Sequence, residues 1–271
     1  MKRSKITILL AIVLGMTFHS CLDLEPQDQL GGKNMWTSVN DYKQFANTFY
    51  SWTRDFSSVV YDGTHSDKRS DLITYQSYNE FSRGINSIPS SDANYTDNYK
   101  HIRRTNLLLQ NAEAYAKPED IKQYIGEAYF FRAYSYFDLL QLYGDVIITK
   151  KPLDITDPEM KVKRNDRSEV VDLIIDDLNH AVENLPAFKE LTTEEEGRIS
   201  KEGAQAFLSR VALYEGTWQK SRNGNQNTQR SANLLDIAAK AARTVIDAKY
   251  GYTFRLFGTD SETKILGDSA Q

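Results

Sequence analysis

Apolar residues recur at helical spacing through most of the chain, and the breaks between these runs fall on capping residues, prolines and glycines. Phe45, Phe49 and Trp52, with Asp41 and Thr48, predict a first helix from near Asn40 to Arg54. Ser91 or Asp92 stands where a cap belongs for a helix running to about Ala116, with Tyr95, Tyr99, Ile102, Asn106, Leu109 and Ala112 near one face. Pro118 occupies the first turn of the next helix, where a missing N–H costs nothing, and that helix stops at Tyr143 before Gly144. Its rings lie almost all round: Tyr124, Phe131 and Tyr136 on one side, Phe130 and Phe137 on the other, which implies packing on several sides. Further helices are predicted from Ser168 to Leu185, ending before Pro186, from Lys201 to Trp218 under a Ser200 cap, and from a Ser231 cap to about Ala248. Val146-Ile147-Ile148 is the best candidate for a short extended piece.

Two helical pairs, 92–116 with 118–143 and 168–185 with 201–218, and the start of a third at 231–248 predict an all-α fold: a tetratricopeptide-like helical-repeat scaffold, or α-solenoid. Ala128, Ala133, Ala204 and Ala212 are the small residues that let paired helices approach, although the strict tetratricopeptide consensus is absent. Residues 55–93 break the pattern. They hold Gly63, Gly84, Pro89, many Ser and Asn, and scattered rings, and they read as a long irregular loop insertion of the kind that is usually functional or disordered.

The N-terminus adds a compartment. Lys2, Arg3 and Lys5 precede an apolar run from Ile6 to Phe18, the length of the apolar core of a secretory signal and too short to anchor by spanning a bilayer. Small Ser20 then precedes Cys21, the single cysteine, an arrangement similar to a bacterial lipobox with Phe18 where leucine is usual. The expectation is residues 1–20 as signal peptide, Cys21 as the lipidated residue and 21–39 as a lipid-anchored tether; ordinary cleavage with a free thiol is the alternative. One cysteine permits no disulfide within the chain, so the fold rests on its core. The net charge is −4 and becomes −7 once the three basic residues leave with the leader, which disfavours nucleic acid as a partner.

Catalytic chemistry is poorly represented. Glu194-Glu195-Glu196 lies in a polar loop and reads as a solvated charge run. His65, His101 and His180 are scattered, with no zinc-type spacing and no nucleophile elbow, so neither an enzyme nor a metal or other cofactor is expected. Arg132 shares the face of the core stripe, and Arg210 sits between Phe207 and Tyr214; each is expected to be structural and to hold a carboxylate or helix-end carbonyls. Gly126 and Gly203 are costly in helices, and close helix crossings would explain both.

Three stretches together resemble the SusD/RagB family of outer-membrane nutrient-binding lipoproteins: Ser20-Cys21-Leu22-Asp23-Leu24-Glu25-Pro26; the run from Gly126-Glu127-Ala128-Tyr129-Phe130-Phe131-Arg132-Ala133 to Gly144-Asp145-Val146, with Lys151-Pro152-Leu153 soon after; and Arg198-Ile199-Ser200-Lys201-Glu202-Gly203-Ala204 continuing to Tyr214. Tyr99 to Asn106 fits the family's first paired helix. The resemblance implies that residues 40–271 are the N-terminal helical domain of a longer, here truncated, protein. It implies a lipid-anchored position on the outer membrane, facing the cell surface. It also implies a role in passing a glycan or another nutrient to a SusC-like TonB-dependent β-barrel transporter. In the family, ligand contacts tend to come from loops outside the repeats. This points to the 55–93 stretch, with Tyr75, Tyr78 and Phe81 for stacking and Arg69, Asp71, Asn79 and Arg83 for polar contacts; the bland alternative is that these rings anchor the insertion and its charges are solvated. The competing function is a helical-repeat scaffold lipoprotein that joins proteins at the outer membrane without binding a ligand.

Overall fold

The computed structural model describes residues 35–54, 83–85, 87–154, 156–222 and 228–253. Among them run six α-helices and no strand: α1 Val39–Asn47, α2 Ala93–Glu113, α3 Lys122–Tyr143, α4 Arg167–Asn184, α5 Lys201–Arg222 and α6 Thr228–Ile246. From α2 onward each helix packs on the next in the chain, which makes the stack a helical-repeat solenoid, and α1 lies across α2 and α3. None of these helices is long and apolar enough to cross a membrane.

The caps explain the boundaries. Ser38 and Asp41 form a reciprocal capping box on α1, and the Asp92 carboxylate accepts from the Asn94 N–H at 2.9 Å to start α2. Ser200 accepts from the Gly203 N–H at 3.3 Å. The last predicted cap is corrected: α6 begins at Thr228, and Ser231 is buried inside it, donating its hydroxyl to the Gly216 carbonyl at 2.8 Å. The first predicted helix is also shorter than its periodicity. Beyond Asn47 it tightens into a 3₁₀ turn, Thr48–Trp52, as the hydroxyls of Thr48, Ser51 and Thr53 bond the carbonyls three residues back. Met35 and Trp36, within the stretch read as tether, pack against the core, Trp36 lying 4.7 Å from the Phe45 ring.

Helix α3 is the hub. Its flanks meet α2, α4 and α1, and Phe130, Tyr134 and Phe137 reach the Phe207 ring of α5. Rings on every side are therefore what this position requires. Gly126 lets Leu185 sit against the α3 backbone, where an added Cβ would meet Leu185 Cγ at 2.9 Å. Gly203 has no such neighbour, its nearest atoms lying at 3.9 Å, so a close crossing does not explain it; the tight approach in α5 is at Gly216, where a Cβ would meet Leu235 Cγ at 2.9 Å.

Val146-Ile147-Ile148 is extended but joins no sheet. An antiparallel bridge pairs Val146 with Asn165, whose side-chain oxygen also accepts from the Ile148 N–H at 2.9 Å, and helix side chains hold Ile147 and Thr149. The Tyr99 hydroxyl accepts from the Ile147 N–H at 2.9 Å and donates to its carbonyl at 2.8 Å. Tyr136 treats Thr149 in the same way, and Asn106 donates to the Thr149 carbonyl at 3.0 Å.

Buried ion pairs lock the stack. Arg132 grips Asp177 of α4 with two bonds of 2.8 and 2.6 Å and donates to Asn106 of α2 at 2.8 Å, so one guanidinium ties three helices. Arg198 grips Glu127 with two bonds of 2.7 Å and reaches Asn47 at the end of α1. Arg167 reaches Glu215 of α5 at 2.9 Å while its guanidinium covers the Trp218 ring. Burial pushes the Glu127 and Asp177 carboxyls above the usual carboxylate range, against the pull of their arginines. Arg132 therefore has the carboxylate expected of it. Arg210 does not: it is exposed, and it makes no hydrogen bond or ion pair with another described residue.

Removing one member of a buried pair strands the other charge. Arg198→Met is expected to cost about 3–5 kcal/mol in chemical denaturation, while the double variant Glu127→Leu/Arg198→Met recovers most of it. Equal losses in the single and double variants would contradict this account of the lock.

Candidate functional site

One face of α3, Tyr134, Phe137, Asp138 and Gln141, recurs at three- and four-residue spacing and forms the floor of a furrow. On one side stand Trp52 and Arg54, at the end of the first 3₁₀ turn, with Asn94, Asp97, Asn98 and His101 of α2; on the other stand Phe207 and Arg210 of α5. The furrow consists of two hollows of about 180 and 210 Å³ that share Arg54, Tyr134 and Asp138.

Its polar centre is a fixed triad. Asp138 pairs with Arg54 and accepts from Asn98 Nδ2 at 2.9 Å; Asn98 is held in turn by the Asn94 carbonyl at 2.8 Å. Burial draws the Arg54 pKa below its usual value; Tyr134 opposes this and the like charge of Arg210 adds to it. Arg54 remains a cation at physiological pH because a guanidinium does not deprotonate there. Beside the triad Trp52 stacks on His101, with centroids 4.1 Å apart and planes 14° from parallel. Burial lowers the His101 pKa to about 4; Asp97 pulls it the other way, and Arg104 and Lys100 add to the fall. The ring is therefore neutral near pH 7.

This is binding chemistry. Flat rings offer apolar faces to a sugar ring, and the triad, Gln141 and Asn94 offer donors and acceptors to its hydroxyls. Asp138 is committed to Arg54 and Asn98, which removes it as a base. Among the described residues no three His, Cys, Asp or Glu side chains gather as a metal would need. A larger cleft, about 600 Å³, lies between α4 and α6, walled by Asp172, Asp176, Asn179, Arg230 and Asn233, but no ring lines it.

Of the residues singled out from sequence, Cys21, Arg69, Asp71, Tyr75, Tyr78, Asn79 and Phe81 lie outside the described residues. Arg83 is exposed, immediately before Gly84, and does not line the furrow. Sequence reasoning missed the furrow itself. The available signal was the surplus of rings round α3, more than one packing face consumes, together with an arginine flanked by Phe207 and Tyr214.

A family model described as starch-binding and associating with the outer membrane, SusD-like, matches residues 22–213. Two curated relatives come from Formosa agariphila. SusD-like protein P38 is 28% identical over 79% of this chain and 42% of its own length, and SusD-like protein P2 is 28% identical over 82% and 45%. The chain thus spans less than half the length of either relative. Among solved structures, a SusD-like protein of Bacteroides fragilis superposes with a TM-score of 0.64 at 24% identity, over 87% of this chain and 42% of that one. A laminarin-binding SusD-like protein superposes with a TM-score of 0.51 at 28% identity, over 65% and 35%.

The half-buried, neutral His101 contributes stability that is complete above its ordinary pKa of 6.5 and is lost as the pH falls towards 4, when the folded protein must accept a charge in the furrow wall. Because the ring is only half-buried, solvent screening limits the effect to about 1 kcal/mol. His101→Gln is expected to show a smaller drop in melting temperature between pH 6.5 and 4 than the unaltered chain. Parallel drops would show that His101 is not the titrating group.

Proposed function

This chain belongs to the SusD-like family, and from that premise we propose that it is a glycan-binding lipoprotein of the outer-membrane surface. It binds oligosaccharide and hands it to a SusC-like TonB-dependent β-barrel transporter. The role is binding without catalysis. The observation that carries the reading is the furrow along α3, where Trp52, Tyr134, Phe137 and Phe207 flank the Arg54–Asp138–Asn98 triad. Rings for pyranose faces beside fixed polar groups for hydroxyls are what a sugar site needs. The laminarin-binding relative, similar in fold and at 28% identity, supports the same class of ligand.

In this reading Cys21 carries the lipid and the residues after it tether the helical domain, 40–271. Arg69, Asp71, Tyr75, Tyr78, Asn79, Phe81 and Arg83 add ligand contacts beyond the furrow. The second reading, a scaffold that joins proteins at the outer membrane, draws on the ring-free cleft between α4 and α6.

Calorimetric titration with laminari-, malto- and xylogluco-oligosaccharides tests the sugar site. Binding is expected, and Trp52→Ala should weaken it about tenfold, a loss of about 1.4 kcal/mol, with the helical circular dichroism retained. Failure to bind any glycan, with co-purification of other proteins intact, favours the scaffold. Labelling cells with a radioactive fatty acid tests the anchor: the unaltered chain should incorporate label and Cys21→Ala should not. Equal labelling of both would place the lipid elsewhere.

A further inference from the structure

We propose that the hollow between Arg54 and Arg210 receives an acidic sugar unit, a uronate carboxylate or a sulfate ester, so that the glycan taken by this chain is anionic. The inference rests on the glycan-binding reading and narrows it.

The guanidiniums come from distant segments, Arg54 from the end of the first 3₁₀ turn and Arg210 from α5, yet both line one hollow of about 210 Å³. Four arginines that tie one segment of the stack to another are matched with a carboxylate: Arg132 with Asp177, Arg167 with Glu215, Arg198 with Glu127 and Arg230 with Asp172; a fifth, Arg104, instead donates to the Thr48 hydroxyl at 2.9 Å and lies over the Phe45 ring. Arg210 is unlike these five, holding no carboxylate, carbonyl or amide among the described residues. The one carboxylate lining the hollow is Asp138, which Arg54 and Asn98 already hold. The lining therefore keeps one positive charge in excess.

Two like charges facing a shared hollow repel, and Arg210 acts on Arg54 in that sense, adding to the lowering of its pKa that burial begins. An anion seated between them removes the repulsion and accepts charge-assisted bonds, for which the planar guanidinium fork suits carboxylate and sulfate oxygens alike. The remaining lining suits a sugar that carries such a group. Phe207 and Tyr134 lie 5.6 Å apart at 31° and Phe137 stands edge-on to Phe207, so apolar ring surface adjoins the guanidiniums. Gln141 adds an uncharged donor and acceptor. A neutral sugar would meet the same rings but leave the charge unanswered.

Calorimetry at low and at high ionic strength tests this with four probes of matched length: oligogalacturonate, a sulfated galactan oligosaccharide, unsulfated galactan and laminari-oligosaccharide. At least one acidic probe is expected to bind about tenfold tighter than the neutral ones and to weaken as salt rises. Which acidic probe binds tells carboxylate from sulfate. Arg210→Gln, an exposed change that circular dichroism can show to be folded, should abolish both the preference and its salt dependence; Arg210→Lys should keep part of each. Neutral probes binding as tightly as acidic ones, or acidic binding unchanged in Arg210→Gln, would overturn the inference and leave glycan binding standing. No binding by any probe would overturn both.

Discussion

Glu127 and Arg198 hold each other at 2.7 Å in the interior of a helical stack, and most of the architecture is arranged to make that tolerable. A buried charge without a partner costs several kcal/mol. The pair can therefore exist only if α3, the end of α1 and the segment leading into α5 come together in one register. Arg132–Asp177 imposes the same condition on α3, α4 and α2, and Arg167–Glu215 on α4 and α5. Apolar packing alone would tolerate a helix sliding by a turn; two-pronged ion pairs would not.

The hub role of α3 follows, and so does the furrow. A helix that must face α1, α2, α4 and α5 needs apolar surface on all sides, which explains rings with no dominant stripe. Between α2 and α5 a strip of that surface lines the two hollows instead of the core, with Asp138 held there by Arg54 and Asn98. Packing and recognition thus draw on the same residues. Phe207 buries Phe130 on one side and borders the furrow on the other.

The two charged regions differ in what their arginines have been given. In the lock each guanidinium meets a carboxylate within the fold. In the furrow Arg54 shares Asp138 with Asn98, and Arg210 lines the hollow without a carboxylate among the described residues. The first arrangement settles a shape; the second is the charge on which the proposed anionic-sugar reading rests.

Local chemistry made much of this legible in advance. The six helices among the described residues, the Asp92 and Ser200 caps, the Gly144 stop and the need of Arg132 for a carboxylate were all readable, because periodicity, capping and the cost of burying charge act within a few residues or on one side chain. The same reasoning failed at Ser231, Gly203 and Arg210. Whether a serine caps a helix or bonds across to its neighbour, whether a glycine meets another helix, and whether an arginine is buried depend on what arrives from elsewhere in the chain. By itself the sequence determined which stretches are helical, apart from the ends of the first and the start of the last, and that Arg132 needed a partner. The tertiary structure alone decided which partners they found and that Trp52, His101, Asp138, Phe207 and Arg210 share one furrow, because a helical pattern records a residue's angle about its own axis and carries no record of which helix comes to lie beside it.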